Sequence, residues 1–481
     1  MEQKSIKVNT IYNAIKTCAA IVFPLITFPY VTRVLLADNL GKYNFASSII
    51  SYVLLVASLG VPTYAIRECS KIRENKKKLS ELASQIYTIN IYSTLIAYIL
   101  LAVVLVLARP LDKYRVLIII LSITVVSTTF GADWINNVFE DFKFITLRTV
   151  GFNILSIILM FLFVRKPEDY INYAIITVIS SAGANVLNVF YRKKCCKIQL
   201  VKKLNVNKHL KPIIILFSLQ LVQIIYVNSD VTIIGFVRSD TEVGYYSAAV
   251  KVYNLIQTLM NSVVFVVLPQ LSQAYEKKDN EKINRLLRYS LNFTIVLGLP
   301  CLVGTNVLAK EIIEILAGKD YLACITSMRI LTIALFWSFL GGFLGNLIMI
   351  PSGRENISLY SSIASAIVNL GLNLILIPRW GIEAAAVTTA ISMIIGFFFK
   401  LPFVGKEIKI RPLKEVVLGP FVGCVLIVLI GWACSYLPVN SIIRFIIVLF
   451  LSVVFYFGSI VICKNQLGIE ALTFIKKKIK K

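Results

Sequence analysis

The sequence predicts an all-α integral membrane protein of about fourteen transmembrane helices, built as two pseudo-symmetric six-helix lobes plus a C-terminal helix pair. Three observations predict it: the apolar content of the chain, the regular recurrence of its apolar runs, and a motif that returns 203 residues later.

Apolar residues make up 57% of the 481, and the mean hydropathy is +0.79, whereas soluble domains are about 45–50% apolar. Runs such as Ile118 to Val126, Ile154 to Val164 and Val425 to Ile430 recur along the chain. Each lies in a stretch near the ~20 residues that span a bilayer. Cut at the charged breaks, the chain gives spans over 11–34, 42–65, 83–108, 114–137, 143–164, 171–191, 212–237, 244–272, 289–309, 323–350, 357–378, 381–400, 415–436 and 442–463. The first is too long for a leader, contains Lys16 and lacks a small-residue cleavage site, so it is expected to be retained.

The formal charge of +25 could suggest nucleic acid, yet the bases collect at alternate span ends, the pattern that orients membrane helices. Five segments expected inside carry thirty Lys and Arg: six in 67–78, eight in 192–211, five in 277–288, five in 400–414 and six in 464–481. With an even number of spans, both termini are then cytoplasmic. Lys476, Lys477, Lys478, Lys480 and Lys481 can touch anionic membrane lipid there. The nine cysteines show no framework spacing and are expected to be reduced. The single His209 cannot build a metal site with them, and no Gly-Lys-Ser/Thr phosphate loop is present. No cofactor, metal or ATP-driven pumping is expected of this chain.

Gly41-Lys-Tyr43-Asn-Phe-Ala46 opens the second span and Gly244-Tyr-Tyr246-Ser-Ala-Ala249 the eighth, at an offset of 203; Ala174, Thr177, Ile179 and Ser180 in the sixth span match Ala386, Thr389, Ile391 and Ser392 in the twelfth, at 212. Two matches at similar offsets favour duplication. The expected organisation is an N-terminal lobe over 1–191, a basic cytoplasmic linker over 192–211, a C-terminal lobe over 212–400, an extra helix pair over 401–464 and a basic tail over 465–481. Six spans separate the copies, so both lobes run the same way through the membrane and substrate is expected between them.

A charge at mid-bilayer costs about 2.5–3.5 kcal/mol on insertion scales, so embedded charges face a cavity or a partner. Lys251, Asn254, Thr258 and Asn261 form one helical stripe on the eighth span; Gln220, Gln223 and Asp230 share a face of the seventh. Ser362, Ser365, Asn369 and Asn373 mark the eleventh, and Asn13, Lys16 and Thr17 the first, with Pro24 as a kink. Together they point to a water-accessible lumen. The competing reading is structural: such residues also tie membrane helices together. Asp230 and Lys251 share a depth and can pair, and Asp133 and Arg148 face each other across the 138–142 turn. Arg33 and Lys16 lie close enough to an interface to snorkel.

These motifs, in their order and spacing, resemble the polysaccharide and O-antigen flippases, which handle lipid-linked oligosaccharides, of the multidrug/oligosaccharidyl-lipid/polysaccharide exporter superfamily. The resemblance runs nearly end to end: Pro29-Tyr-Val-Thr-Arg33-Val-Leu35, Asp133-Trp134, Asp230 to Gly235, Val243 to Ala249, Asn373 to Pro378, and Gly381-Ile-Glu-Ala-Ala-Ala386. Leu36-Ala37 stands where the family usually has a small residue. The resemblance implies export of undecaprenyl-pyrophosphate-linked oligosaccharide units across a bacterial cytoplasmic membrane by alternating access, for surface polysaccharide such as O-antigen or capsule. A glycan head needs a lumen that replaces its bonds to water, and Asn254, Asn261 and Gln223 offer such bonds. Pyrophosphate needs cations, making Lys251, Arg148 and Arg33 the substrate-binding candidates. Asp230, then Asp133, is the carboxylate for coupling to H+ or Na+. A complex with a polysaccharide polymerase completes the expected partners. A multidrug/cation antiporter of the same superfamily is the first alternative; it would need acids in its lumen, where bases are at least as plentiful here. A membrane glycan polymerase or ligase ranks third, because the outward connections are short.

Overall fold

A segment in hydrocarbon must satisfy its own backbone, so an apolar chain with no closed barrel to join folds as helices. The computed structural model describes residues 6–202, 204–405 and 413–479, and among these there is no strand. The helices are α1 (Ile6–Ser58), α2 (Val61–Ser70), α3 (Lys76–Leu107), α4 (Arg115–Gly131), α5 (Trp134–Val138), α6 (Phe142–Phe163), α7 (Tyr170–Arg192), α8 (Val206–Val237), α9 (Asp240–Glu276), α10 (Asn280–Val307), α11 (Ala309–Leu316), α12 (Ile325–Gly342), α13 (Glu355–Lys400), α14 (Leu413–Ser435), α15 (Ser441–Ile462) and α16 (Gln466–Ile479). A π-helical stretch, Phe343–Met349, extends α12. Eleven helical segments among the described residues are long and apolar enough to cross a membrane. Two of them run through breaks, at Leu36 (φ 60°, ψ 175°) in α1 and at Gly381 (φ 61°, ψ −136°) in α13. The chain is a multi-pass membrane protein, and its exposed faces carry Leu, Ile, Val and Phe, as lipid contact requires.

Several helix ends depart from the apolar runs, because hydropathy marks the hydrocarbon boundary and not the last helical residue. The run expected over 42–65 stops at Ser58, where Leu59 (φ 46°) and Gly60 (φ 73°) reverse the backbone and Pro62 sits in the first turn of α2. The ninth span begins nine residues before its apolar run, at Asn280, where Asp279 accepts the backbone N–H of Lys282 at 3.0 Å.

The chain divides into two compact units, Met1–Gly244 and Tyr245–Lys481. In the first, α1 packs against α3, α4, α6 and α8, and α7 lies on α4 and α6. Side-chain amides and hydroxyls fasten these helices: Asn90 Nδ2 donates to Ala57 O at 2.7 Å, and Asn188 Nδ2 to Gly131 O at 2.8 Å. An inner cluster of Tyr64, Ile86, Trp134 and Ile135 joins α2, α3 and α5. The basic segment after α7 is laid along α3: Gln199 N donates to Ser84 Oγ at 3.1 Å and Val201 N to Thr88 Oγ1 at 3.2 Å. Near Gly41, α1 meets the start of α9 so closely that a Cβ there would overlap Asp240 O. A Cβ on Gly244 would likewise overlap Ala37 O.

In the second unit, the two halves of α13 pack with α12, and α14 and α15 form a pair on α10. Asn292 and Asn465, both buried, exchange amide hydrogen bonds at 3.1 and 2.8 Å and pin the turn between α15 and α16 to α10. The last two residues of the basic tail, Lys480 and Lys481, lie outside the described residues.

Candidate functional site

Three helices of the first unit, α1, α6 and α7, enclose a cavity of about 490 Å³. Pro24 lies in the α1 wall and interrupts the hydrogen-bond ladder there. Thr27, Thr149, Asn153, Thr177, Ser180 and Asn185 give the walls a hydroxyl and amide lining. Many of these hydroxyls donate to their own helix, as Thr177 Oγ1 does to Ala174 O at 2.8 Å and Thr27 Oγ1 to Phe23 O at 3.0 Å. Their lone pairs stay available to incoming donors. Tyr43 and Tyr173 meet at one side with ring centroids 4.7 Å apart and planes inclined at 60°.

Arg148 of α6 is the cation in this wall. It is 8% exposed, and its Nη2 donates to Asp133 Oδ1 at 2.7 Å across the turn that the sequence spacing placed between them. The guanidinium also lies over the Phe144 ring, 5.5 Å from its centroid. Its Nε and Nη1 are buried with no hydrogen-bond partner among the described residues.

The other candidates are placed as follows. Asp230 of α8 is buried, 6% exposed, near Tyr52, whose hydroxyl meets Thr232 Oγ1 at 3.2 Å. Gln223 is exposed on the same helix, and Gln220 Nε2 reaches Thr63 Oγ1 at 3.4 Å. Arg33 is exposed, and its Nη1 donates to Pro29 O of its own helix at 2.6 Å. Lys16 is half-buried on α1. In the second unit Lys251 is half-buried while Asn254, Thr258 and Asn261 are exposed along one face of α9.

The stripe on α13 does not line an opening. Asn369 and Asn373 are fully buried, Asn373 Nδ2 donates to Asn369 Oδ1 at 3.1 Å, and Thr388 donates to Asn373. Ser365 Oγ donates to Ser392 O at 2.9 Å, and Ser361 Oγ to Gly396 O at 2.8 Å. Of the stripe expected on the eleventh span, Ser365, Asn369 and Asn373 therefore lie in a seam between the two halves of α13, whereas Ser362 is exposed and donates to Ser358 O of its own helix at 2.9 Å. Small residues on the second half let the backbones close.

Sequence reasoning missed other buried charges. Asp240 accepts from Lys113 Nζ at 3.0 Å and from the Tyr114 hydroxyl. Asp141 accepts from the Tyr191 hydroxyl at 2.5 Å, and Glu311 from Arg444 at 3.1 Å. His209 bridges Tyr64 (2.8 Å) and Gln85 (3.0 Å). Their partners lie 50 to 145 residues away, so no local spacing announces them.

A second cavity, in the second unit, is apolar. It holds about 660 Å³ between α10, α15 and α16, walled by residues such as Phe293, Leu297, Phe445, Leu449 and Phe457. Gly304 opens onto it, with nothing within 4 Å of where a Cβ would stand.

Comparison with known proteins gives one direction. Residues 6–276 match the family model described as "Polysaccharide biosynthesis protein", and 213–375 match that of MatE. The "Putative O-antigen transporter" of Escherichia coli (strain K12) is 25% identical over 325 residues, covering 66% of this chain and 77% of that protein. The capsular polysaccharide biosynthesis protein CapF of Staphylococcus aureus is 23% identical over 379 residues, covering 76% and 92%. Among solved structures, the lipid II flippase MurJ in an inward closed conformation aligns with a TM-score of 0.70 at 18% identity, covering 93% of this chain and 97% of that one. At that identity the likeness shows the fold alone.

Proposed function

The chain belongs to the polysaccharide biosynthesis protein family, and on that premise we propose that it is a flippase moving undecaprenyl-pyrophosphate-linked oligosaccharide units across a bacterial cytoplasmic membrane. The observation that carries this reading is the pair of cavities of opposite character. A lipid-linked glycan has a head that needs hydroxyl and amide partners and a tail that needs an apolar wall. The first unit supplies one (about 490 Å³) and the second the other (about 660 Å³), both within the usual range of about 300–1,000 Å³ for ligand sites. The names of the relatives, an O-antigen transporter and a capsular polysaccharide protein, support the same substrate class.

In this reading Arg148, Lys251 and Arg33 face the pyrophosphate and Asn254, Asn261 and Gln223 the sugar. Asp230 and Asp133 are the carboxylates through which H+ or Na+ drives the cycle. The lobes over 1–191 and 212–400 rock about the linker over 192–211, with both termini cytoplasmic, and the helix pair over 401–464 shelters the polyprenyl tail in the apolar cavity. A polysaccharide polymerase is the proposed downstream partner. A cationic-drug antiporter fits less well, because the cavity of the first unit buries a guanidinium.

The test is flipping of a fluorescent lipid-linked oligosaccharide in proteoliposomes. Wild type is expected to bring label across, and Gly304→Trp, which fills the apolar cavity, to slow it at least tenfold with folding intact. No flipping by wild type, with a cationic dye moved instead, would replace this reading with the antiporter. Normal flipping by Gly304→Trp would remove the tail site.

A further inference from the structure

The first turns of α10 run past the edge of its apolar stretch. The helix starts at Asn280, whereas the apolar run opens at Tyr289. Arg285 therefore stands about 6 Å beyond the hydrocarbon boundary at 1.5 Å per residue, inside the layer of about 5–8 Å that head groups add on each side of the ~30 Å core. At this depth the extension and the start of α16 enclose a cavity of about 820 Å³, lined by Arg285, Arg288 and Tyr289 together with Glu281, Asn284 and Gln466. Bases at a span end are ordinary, since charge of this sign orients membrane helices. In the first unit such bases are paired: Arg67 and Lys71 with Glu68, and Arg73 with Glu140. Arg285 and Arg288 make no hydrogen bond or ion pair with a described residue. Yet Glu281 lies four residues before Arg285, the spacing at which a helix pairs opposite charges.

The same two helices change character one turn further on. Toward the membrane centre the face of α10 continues through Phe293, Leu297 and Pro300, and after Gln466 the chain of α16 supplies Leu467, Gly468 and Ala471; these residues wall the apolar cavity of about 660 Å³. Charge and then hydrocarbon, in that order along one helix face, match the two ends of an amphiphile. We infer that this pocket between α10 and α16 is a binding site for an anionic membrane phospholipid, with Arg285 and Arg288 on its phosphate and its acyl chains along Phe293, Leu297 and Leu467. The charge balance selects the head group. Two guanidiniums and one carboxylate leave the lining with a single net positive charge, which one phosphodiester neutralises; a sugar-linked pyrophosphate carries about twice that charge. Arginine suits the role because its fork spans two phosphate oxygens. Gln466 gives its amide N–H to Glu470 at 2.9 Å, so its carbonyl oxygen is left to accept from a head-group hydroxyl. The reciprocal bonds between Asn292 and Asn465 fix the α16 wall one residue before Gln466. A phospholipid held here uses the cavity proposed for the polyprenyl tail, so the two lipids are expected to compete. That consequence rests on the flippase reading; the site itself does not.

The test measures binding to the full chain, freed of lipid in detergent. Phosphatidylglycerol, the diacylglycerol with the same chains and undecaprenyl pyrophosphate are titrated by native mass spectrometry, and inorganic phosphate by calorimetry. Phosphatidylglycerol is expected to bind at least tenfold more tightly than diacylglycerol, which lacks the phosphate, or inorganic phosphate, which lacks the chains. Arg285→Gln with Arg288→Gln should weaken it at least tenfold, and Arg285→Lys with Arg288→Lys, which keeps charge without the fork, several-fold. Lys277→Gln with Lys278→Gln removes two exposed bases outside the pocket and should change binding less than twofold. Equal losses from the arginine and lysine pairs would mean a diffuse attraction to a basic surface and overturn the site, as would diacylglycerol binding as tightly as phosphatidylglycerol. Inorganic phosphate binding as tightly would overturn the lipid assignment. Tighter binding of undecaprenyl pyrophosphate through the same arginines would overturn it in favour of the carrier. If the arginine-to-glutamine pair does not fold, the arginine-to-lysine pair set against the Lys277 and Lys278 variant decides by the same comparison. Phospholipid binding without transport of a lipid-linked glycan would leave the site standing and remove the flippase reading. Transport with no arginine-dependent phospholipid binding would do the reverse.

Discussion

Two polar stripes in the second unit look alike in residue type and spacing, and end in different surroundings. Lys251, Asn254, Thr258 and Asn261 follow one face of α9, and Asn254, Thr258 and Asn261 lie open; Ser365, Asn369 and Asn373 follow one face of α13 and are sealed against Thr388, Ser392 and Gly396. Helical spacing shows that a face is polar. Whether water, substrate or another helix meets that face depends on what the chain brings opposite it. For α13 the opposite side is its own second half, returned by the break at Gly381 and narrow enough for hydroxyl-to-carbonyl bonds.

If the difference is functional, substitution should separate the stripes by what fails. The largest effect is expected at the open one: Asn254→Ala combined with Asn261→Ala lowers glycan export at least tenfold, with melting temperature held, since exposed positions usually change stability by within about 0.5 kcal/mol. Export at wild-type rate would take α9 out of the substrate path. Next, Asn373→Leu should cost the sealed stripe about 1–2 kcal/mol, seen as a lowered thermal midpoint in detergent, because it strips partners from Asn369 and Thr388. An unchanged midpoint would mean that the seam is packing and not hydrogen bonding. Asp230 on α8, buried beside exposed Gln223, is the mixed case. Asp230→Asn should leave the fold in place and remove the dependence of transport on an imposed ion gradient; a retained dependence in vesicles would make the carboxylate structural.

The two breaks invite the mildest test. Gly381 takes a positive φ at no steric cost, whereas Leu36 holds φ 60°, ψ 175°, a conformation that costs a side-chain-bearing residue about 1–3 kcal/mol. Leu36→Gly should therefore stabilise the fold by about 1 kcal/mol after allowing for glycine's extra freedom when unfolded. Destabilisation would show that the Leu36 side chain holds something that relief of strain does not offset.

The class of the molecule was plain in the sequence because lipid leaves few options: long apolar runs had to be helices. The Asp133 and Arg148 pair was also legible, since fifteen residues and one short turn separate them. Asp240 was not, because Lys113 and Tyr114 reach it from more than 120 residues away. Nor was the fate of Arg33, whose guanidinium turns back onto Pro29 O. Charge at a span end does not say whether a side chain reaches inward or folds onto its own helix. The break at Leu59 and Gly60 fell inside an apolar run, where hydropathy is blind to backbone handedness.

The close crossing at Gly41 and Gly244 obeys a symmetry. Gly41 presses on Asp240 and Gly244 on Ala37; shifting either contact by the repeat offset of 203 produces the other. Beside them Thr241 donates to Asp38 at 3.4 Å, a residue bonded to its own counterpart 203 positions away. A contact that maps onto itself under such a shift has the local form of a two-fold contact. The two glycines are thus two copies of one constraint, and enlarging both should cost less than the sum of enlarging each.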